Sequence, residues 1–336
     1  MKAIAYTQPG AIDRDDALLD VDLPEPVPGP RDLLVDVHAV SVNPVDTKVR
    51  RNAAPPAGEH KVLGWDVAGV VRAVGADVNL FKPGDAVYYA CAIDRAGGNS
   101  ERHVVDERIV GHKPASLDFA QAAALPLTAI TAWELLFDRL GVPRDGGDGQ
   151  ALLVVGAAGG VGSILVQLAR KLTKLRVIGT ASRPETAAWV EDLGAQDVID
   201  HTQPLAGELQ RIGVPRVELI ASLTHTDQHW AQLVEALAPQ GRLALIDDPG
   251  ALDVNALKRK SASLHWEFMF ARPLHQTADM IEQHRLLDEV ARLVDAGVLR
   301  TTFGEHYGRI DAANLKRAHA LIESGRAKGK LVLEGW

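Results

Sequence analysis

The sequence predicts an α/β protein with a six-stranded parallel sheet in its middle and β-rich segments before and after it. Three observations predict this. Before about residue 120, short runs alternate apolar with polar residues and are cut by Pro and Gly. From about Leu125 to Phe270, continuous apolar runs alternate with segments of helical spacing. Beyond Phe270 the chain changes style again. Its 336 residues suit two domains. The boundaries read as 1–124, 125–270 and 271–336, with the tail packing back on the first part.

Each element has its own warrant. MKAIAYTQPG reads as a first strand, since no basic region precedes an apolar core as in a signal peptide. Asp32–Val42 and Val67–Val74 alternate at period two, as half-buried strands do, and Ala86–Ala90 follows the same habit. Lys82-Pro83-Gly84-Asp85 is a turn by composition. These suggest an antiparallel, partly open barrel. Ala151–Val155 (ALLVV) is apolar throughout, like a strand buried on both faces. A helix over Ser163–Leu172 follows, then a strand Arg176–Thr180, a helix Glu185–Leu193 closed by Gly194, and a strand Asp197–Ile199. Val217–Ala221, a helix Asp227–Leu237, Arg242–Ile246 and Leu264–Phe270 complete six strands. The tail holds an amphipathic helix Leu286–Ala296 ending at Gly297, strands Thr301–Tyr307 and Lys330–Glu334, and a helix Asp311–Ser324.

Composition excludes several partners. Net charge is −8 and no basic run is present, which argues against nucleic acid. No run of ~18 apolar residues suggests a membrane span. Cys91 is the only cysteine, which excludes an internal disulfide and a multi-cysteine metal site. A cytoplasmic protein is expected.

The most informative stretch is Gly156-Ala157-Ala158-Gly159-Gly160-Val161-Gly162-Ser163, directly after ALLVV and directly before a helix. A dinucleotide fold needs a tight strand-to-helix turn, a residue without Cβ where pyrophosphate meets the backbone, and another where helix packs on strand. Gly159 and Gly162 suit the second and third roles, whereas Ala157 stands where the first glycine would fall. The pyrophosphate would rest on the helix N-terminus. This makes the middle of the chain a Rossmann-type NAD(P)-binding domain. An NAD site usually carries an acid ~20 residues further on. Here Ser182 and Arg183 occupy that place and can donate to a 2′-phosphate, which favours NADP(H), although Glu185 is close by. Ser182 also suits a helix cap before Pro184.

Taken in order, SVNPVDTKVR (Ser41–Arg50), VLGWDVAGVVRAVG (Val62–Gly75), FKPGDAVYY (Phe81–Tyr89), ALPLTAITAWELL (Ala124–Leu136), GAAGGVGS, SRPET (Ser182–Thr186) and GKLVLEG (Gly329–Gly335) resemble the medium-chain dehydrogenase/reductase superfamily. The resemblance covers essentially the whole chain and is closest to the zinc-type alcohol dehydrogenase-like and quinone oxidoreductase branch. It implies a GroES-like catalytic domain built from both chain ends, a Rossmann domain inserted between them, and a cleft with nicotinamide at its base. Residue by residue, it implies that Asn43 lines the nicotinamide side and that Thr128 contacts nicotinamide or its ribose. It implies that Gly159, Gly160 and Val161 face the pyrophosphate, with Gly156, Ala157 and Gly162 completing the turn. It places Ser182, Arg183 and His201 at the adenosine phosphate, Ser222 and Leu223 over adenine or ribose, and Phe268, Phe270 and Lys330 near nicotinamide. For Phe268 and Phe270 a buried strand edge is an equal alternative. Relatives are dimers or tetramers, and nothing in the sequence chooses a homodimer over a homotetramer.

Zinc-dependent members use an early Cys, a His–Glu pair after a glycine, and a further Cys or Asp. This chain offers Val45 and Asp46, and Gly64-Trp65-Asp66 where Gly-His-Glu would stand. No metal is therefore expected. His225 and His229, four apart, share a helix face but lack a third ligand. Without zinc, a quinone or α,β-unsaturated carbonyl suits a nicotinamide hydride better than an alcohol does. Asn43 could donate to a substrate oxygen. Asp46 could hold a ribose hydroxyl or serve as a turn or cap residue. Tyr88 and Tyr89 could stack on a flat substrate or be buried strand aromatics. The alternatives are a zinc-dependent alcohol or aldehyde dehydrogenase and a cofactor-bound protein without turnover.

Overall fold

The computed structural model describes all 336 residues, and they divide into two compact units, Met1–Ile130 with Phe270–Trp336, and Thr131–Met269. The first boundary lies inside the helix Pro126–Trp133. The change of texture near Leu125 therefore marks the start of a helix, not the change of unit.

The first unit is β-rich, as expected. One sheet runs in the order Phe303–His306, Lys330–Glu334, Asp32–Val42, Val67–Val74, Ala86–Tyr89 and Val110–His112, with Arg102–Asp106 also paired to Asp32–Val42. A smaller sheet joins Leu19–Asp22, Lys2–Tyr6 and Lys61–Val62. The C-terminal strand pairs antiparallel with Asp32–Val42, matching Leu331 to Val42 and Val332 to Ser41. On the other side, Val40 faces Val67. Three segments remote in sequence thus end side by side: Lys330, Ser41 to Asn43, and Asp66. The tail helices are Glu282–Asp295, starting before Leu286, and Ala312–Glu323, capped by the Asp311 carboxylate.

The second unit is a six-stranded parallel sheet in the order Asp197–Ile199, Arg176–Thr180, Ala151–Val155, Val217–Ser222, Leu237–Leu245, Ser263–Trp266. Numbered along the chain this is 3-2-1-4-5-6, the doubly wound dinucleotide-binding order. Ala151–Val155 lies at its centre with no residue more than 5% exposed, which is why it reads as unbroken apolar. The fifth strand begins before Arg242, because Leu237 already pairs with Val217 ahead of an irregularity in register. The sixth strand ends at Trp266, so Phe268 and Phe270 lie beyond the sheet. The first crossover helix begins at Gly160, inside the glycine turn, rather than at Ser163.

One helical segment, Phe119–Arg139, is long and apolar enough to cross a membrane, which corrects the reading that no such stretch exists. Its most apolar window is 83% buried, the mark of a core helix. Its last turn, Glu134–Arg139, is π-helical and begins a carboxylate pair that the sequence did not reveal. Glu134 and Glu267 are both buried, and Arg139 Nε donates to Glu267 Oε2 at 2.9 Å. Burial, then the Glu134 charge, push Glu267 up to about 9 from an ordinary 4.5. The fold favours the neutral acid, so this contribution is whole below the unfolded value and is lost as pH rises toward about 9. Glu267→Gln is expected to flatten the fall of the urea midpoint between those limits. A variant that falls as steeply as the parent would remove Glu267 as the cause.

Candidate functional site

In the second unit the chain leaves Val155 and turns at Gly156, whose φ of +82° lies in the left-handed region. The Gly156 N–H donates to Thr180 Oγ1 at 3.1 Å. Gly156, one residue before the expected place, therefore performs the duty of the first glycine. Ala157 can stand in that place because the left-handed dihedral falls on Gly156 and not on Ala157. A Cβ on Gly162 would sit 2.5 Å from the carbonyl oxygens of both Gly156 and Ala157, so only glycine lets the helix seat on the turn. A Cβ on Gly159 would meet nothing closer than Gly156 O at 3.4 Å. The helix Gly160–Leu172 then presents the N–H groups of Gly160, Val161 and Gly162, which lack partners within a helix. Small residues, free donors and a positive helix end together fit a dinucleotide pyrophosphate.

The residues expected at the adenosine end follow two neighbouring strands of this sheet. Thr180 pairs with Ile199 on adjacent parallel strands. Ser182 and His201 each lie two residues beyond these paired strand ends. Arg183 Nε lies 3.3 Å from Glu185 Oε1, with side chains 39% and 59% exposed. Such a pair is weak and exchangeable for a phosphate. Ser222 is a correction: it is fully buried, and its hydroxyl meets Thr226 Oγ1 at 2.7 Å, tying strand to helix. Leu223 N donates to Val155 O at 3.1 Å, which sets Leu223 beside the turn.

In the first unit the converging strand ends build a buried polar centre. Asp66 Oδ2 accepts from Lys330 Nζ at 2.9 Å, Asn43 Nδ2 at 2.8 Å and Ser41 Oγ at 3.0 Å. Asp66 Oδ1 accepts from Leu127 N at 2.7 Å. Four donors fill the acceptor sites of one carboxylate. Lys330 Nζ also donates to Val42 O at 3.2 Å and to Asn43 Oδ1. This corrects Lys330 as a cofactor ligand, since all three of its donors are used. Asp46 takes the cap alternative, accepting from Asn43 N at 2.7 Å and Gly64 N at 2.9 Å. Complete burial pushes its carboxyl up to about 7, against the opposing pull of these hydrogen bonds and Lys330. Thr128 is buried and donates its hydroxyl proton to Leu125 O at 3.0 Å, leaving only lone pairs for a ligand.

The aromatic expectations are also corrected. Tyr88 and Tyr89 are fully buried. Tyr88 OH donates to Leu287 O at 2.6 Å, and Tyr89 OH meets His103 Nδ1 at 3.1 Å, so neither ring is presented to a substrate. Phe270 is buried edge-on against Trp65, with centroids 6.3 Å apart, whereas Phe268 is 48% exposed. Sequence reasoning passed over Ser41 and the Leu127 amide. It weighed Asp66 only as a failed metal ligand. The available signal was the shared register of three strands.

Two family models match the chain: the alcohol dehydrogenase GroES-like domain over residues 29–129 and the zinc-binding dehydrogenase over residues 193–333. A zinc-type alcohol dehydrogenase-like protein of Staphylococcus aureus is 38% identical over 339 residues, covering 99% of each chain. The chain belongs to the medium-chain dehydrogenase/reductase superfamily. Among solved structures, a Rhizobium etli CFN 42 protein assigned to the zinc-dependent alcohol dehydrogenases is 57% identical, with TM-score 0.96 over 100% of this chain and 98% of that one. A quinone oxidoreductase of Pseudomonas syringae pv. tomato DC3000 is 28% identical, with TM-score 0.84 over 99% of both chains. A mycobacterial protein solved with NADPH is 29% identical, also with TM-score 0.84 over 99% of both. This medium-chain dehydrogenase/reductase is therefore an oxidoreductase by family, of a kind that uses a nicotinamide dinucleotide.

Zinc, which several of these relatives' names imply, does not fit the residues present. Trp65 stands in the histidine position, and its indole donates to Ala92 O at 3.4 Å and offers no lone pair. Asp66 stands in the glutamate position with its oxygens filled, one of them by an ammonium. No group of three or more His, Cys, Asp or Glu side chains is arranged to hold a metal.

Proposed function

We propose that this medium-chain dehydrogenase/reductase is an NADPH-dependent reductase of quinones or α,β-unsaturated carbonyls, acting by direct hydride transfer without a metal. The observation that carries this reading is the Asp66–Lys330 centre. Alcohol oxidation in zinc enzymes relies on the metal to acidify the alcohol. Here the corresponding carboxylate is closed by a buried ammonium. Quinones and enones accept hydride without that help. The dinucleotide supplies the hydride when bound. The chain's own part is to seat pyrophosphate on Gly159–Gly162 and to hold the 2′-phosphate with Ser182, Arg183 and His201. Asn43 keeps one N–H beyond its bond to Asp66, and that N–H is the donor for a substrate oxygen. The quinone oxidoreductase and NADPH-bound neighbours support the reading. It extends, on family grounds, to a cytoplasmic homodimer or homotetramer.

The test is NADPH oxidation by the purified protein with quinone and enone panels, with and without a chelator. Turnover indifferent to chelation is expected. One zinc per chain with alcohol oxidation lost on chelation would establish the alcohol dehydrogenase instead. Tight NADPH binding without turnover would establish a binding protein. For the cofactor, Arg183→Ala is expected to weaken NADPH binding by about tenfold or more, the size of one charge-assisted bond, and NADH binding far less. Equal losses would falsify the 2′-phosphate role.

A further inference from the structure

Three histidines collect at the carboxyl edge of the parallel sheet. His201 follows the strand Asp197–Ile199, His225 caps the helix Thr226–Ala236, and His229 lies in that helix's first turn. The spacing of His225 and His229 allows the two a shared helix face. Instead His229 meets His201 edge to face, with ring centroids 6.1 Å apart. His225 holds a left-handed cap conformation, its Nδ1 2.7 Å from Thr224 Oγ1. His201 and His229 each keep a buried Nδ1 with no hydrogen-bond partner in the protein. Buried polar atoms are seldom left unmet, and this sheet edge is where the fold takes its ligand. The strands that precede Ser182–Arg183 and His201 are paired up to Thr180 and Ile199, so both segments leave the sheet at its carboxyl edge.

The charges around the two rings are few. Asp200 and His225 face His201, while His201, His225 and Asp227 face His229. On neighbouring elements Arg183 is paired with Glu185 and Glu208 with Arg211, and Asp247 accepts from Thr226. Burial, and then the neighbouring histidines, hold both rings below the ordinary value of 6.5. These surroundings bias both rings toward the neutral form. A 2′-phosphate carries nearly two negative charges there and reverses that balance.

We infer that His201, backed by His229, takes up a proton when a 2′-phosphorylated dinucleotide binds, so that preference for NADPH over NADH falls as pH rises through neutrality. This rests on the NADPH reading above. The sign is distinctive. The phosphate's own titration, near pH ~6, would strengthen binding as pH rises, so a fall must come from the protein.

The experiment measures dissociation constants for NADPH and NADH across about pH 6 to 8 in the parent, His201→Gln and His229→Gln proteins. Calorimetry in buffers of different ionisation heat counts the protons taken up. In the parent, the affinity ratio should fall by about tenfold for each proton and pH unit within the titration window. NADPH should take up protons, and NADH should take up none. His201→Gln should flatten the ratio and abolish uptake while still binding NADH. A parent ratio that stays flat, or a fall that persists in His201→Gln, overturns the inference and leaves the NADPH reading standing. No preference for NADPH at any pH overturns both.

Discussion

Replacing Lys330 by Met is expected to destabilise the protein by about 3–5 kcal/mol, the range for removing one partner of a buried ion pair. The reason is the company Lys330 keeps. Asp66 is fully buried, and Lys330 Nζ is its only cationic partner among four donors. Met fills the space of the stem but leaves the carboxylate charge uncompensated. Asp46, also buried and already pushed up to about 7, sits close enough to feel that charge. A second substitution separates charge from packing. Lys330→Met with Asp66→Asn removes both charges, and a substantial part of the loss should return in the urea midpoint. If Lys330→Met alone costs less than ~1 kcal/mol, the pair contributes no more than a surface salt bridge and the centre is not held by it.

The strand Lys330–Glu334 was legible in the sequence to the residue, yet the partners of its first side chain were not. Lys330 and Asp66 are 264 positions apart, and no local pattern relates them. Only the pairing of Leu331 with Val42 and of Val40 with Val67 brings them together. Local patterns were enough for ALLVV, because burial on both faces leaves an unbroken apolar run. They misled at Leu264–Phe270, where apolar residues recur after the sheet has ended at Trp266. Phe270 owes its apolar character to Trp65, not to a strand. Tyr88 and Tyr89 misled in the opposite way. Consecutive residues of a strand point to opposite faces, and both faces here are covered, which sequence alternation cannot disclose. The glycine turn was the most legible site, since its chemistry is backbone chemistry and lies within eight consecutive residues. Even there, only the dihedral of Gly156 showed which glycine makes the turn.

That turn carries the second large expectation, and two substitutions divide it. Gly162→Ala places a methyl 2.5 Å from the carbonyl oxygens of Gly156 and Ala157. These are backbone atoms that cannot swing away, so the helix start must lift. Overpacking of this kind costs about 1–3 kcal/mol in stability. Because the lifted N–H groups are those that face pyrophosphate, cofactor affinity should fall by about tenfold to a hundredfold as well. Gly159→Ala is different. Its methyl would meet only Gly156 O, at 3.4 Å, an ordinary contact at a backbone φ of −73°. Stability should stay within ~0.5 kcal/mol, while the methyl occupies the space through which the phosphates reach the backbone. Binding should therefore weaken about as much as in Gly162→Ala, with the urea midpoint unmoved. Unchanged dinucleotide affinity in Gly159→Ala would show that the pyrophosphate does not pass this glycine, whatever Gly162→Ala does. A loss of stability equal to that of Gly162→Ala would mean that both glycines serve the fold alone.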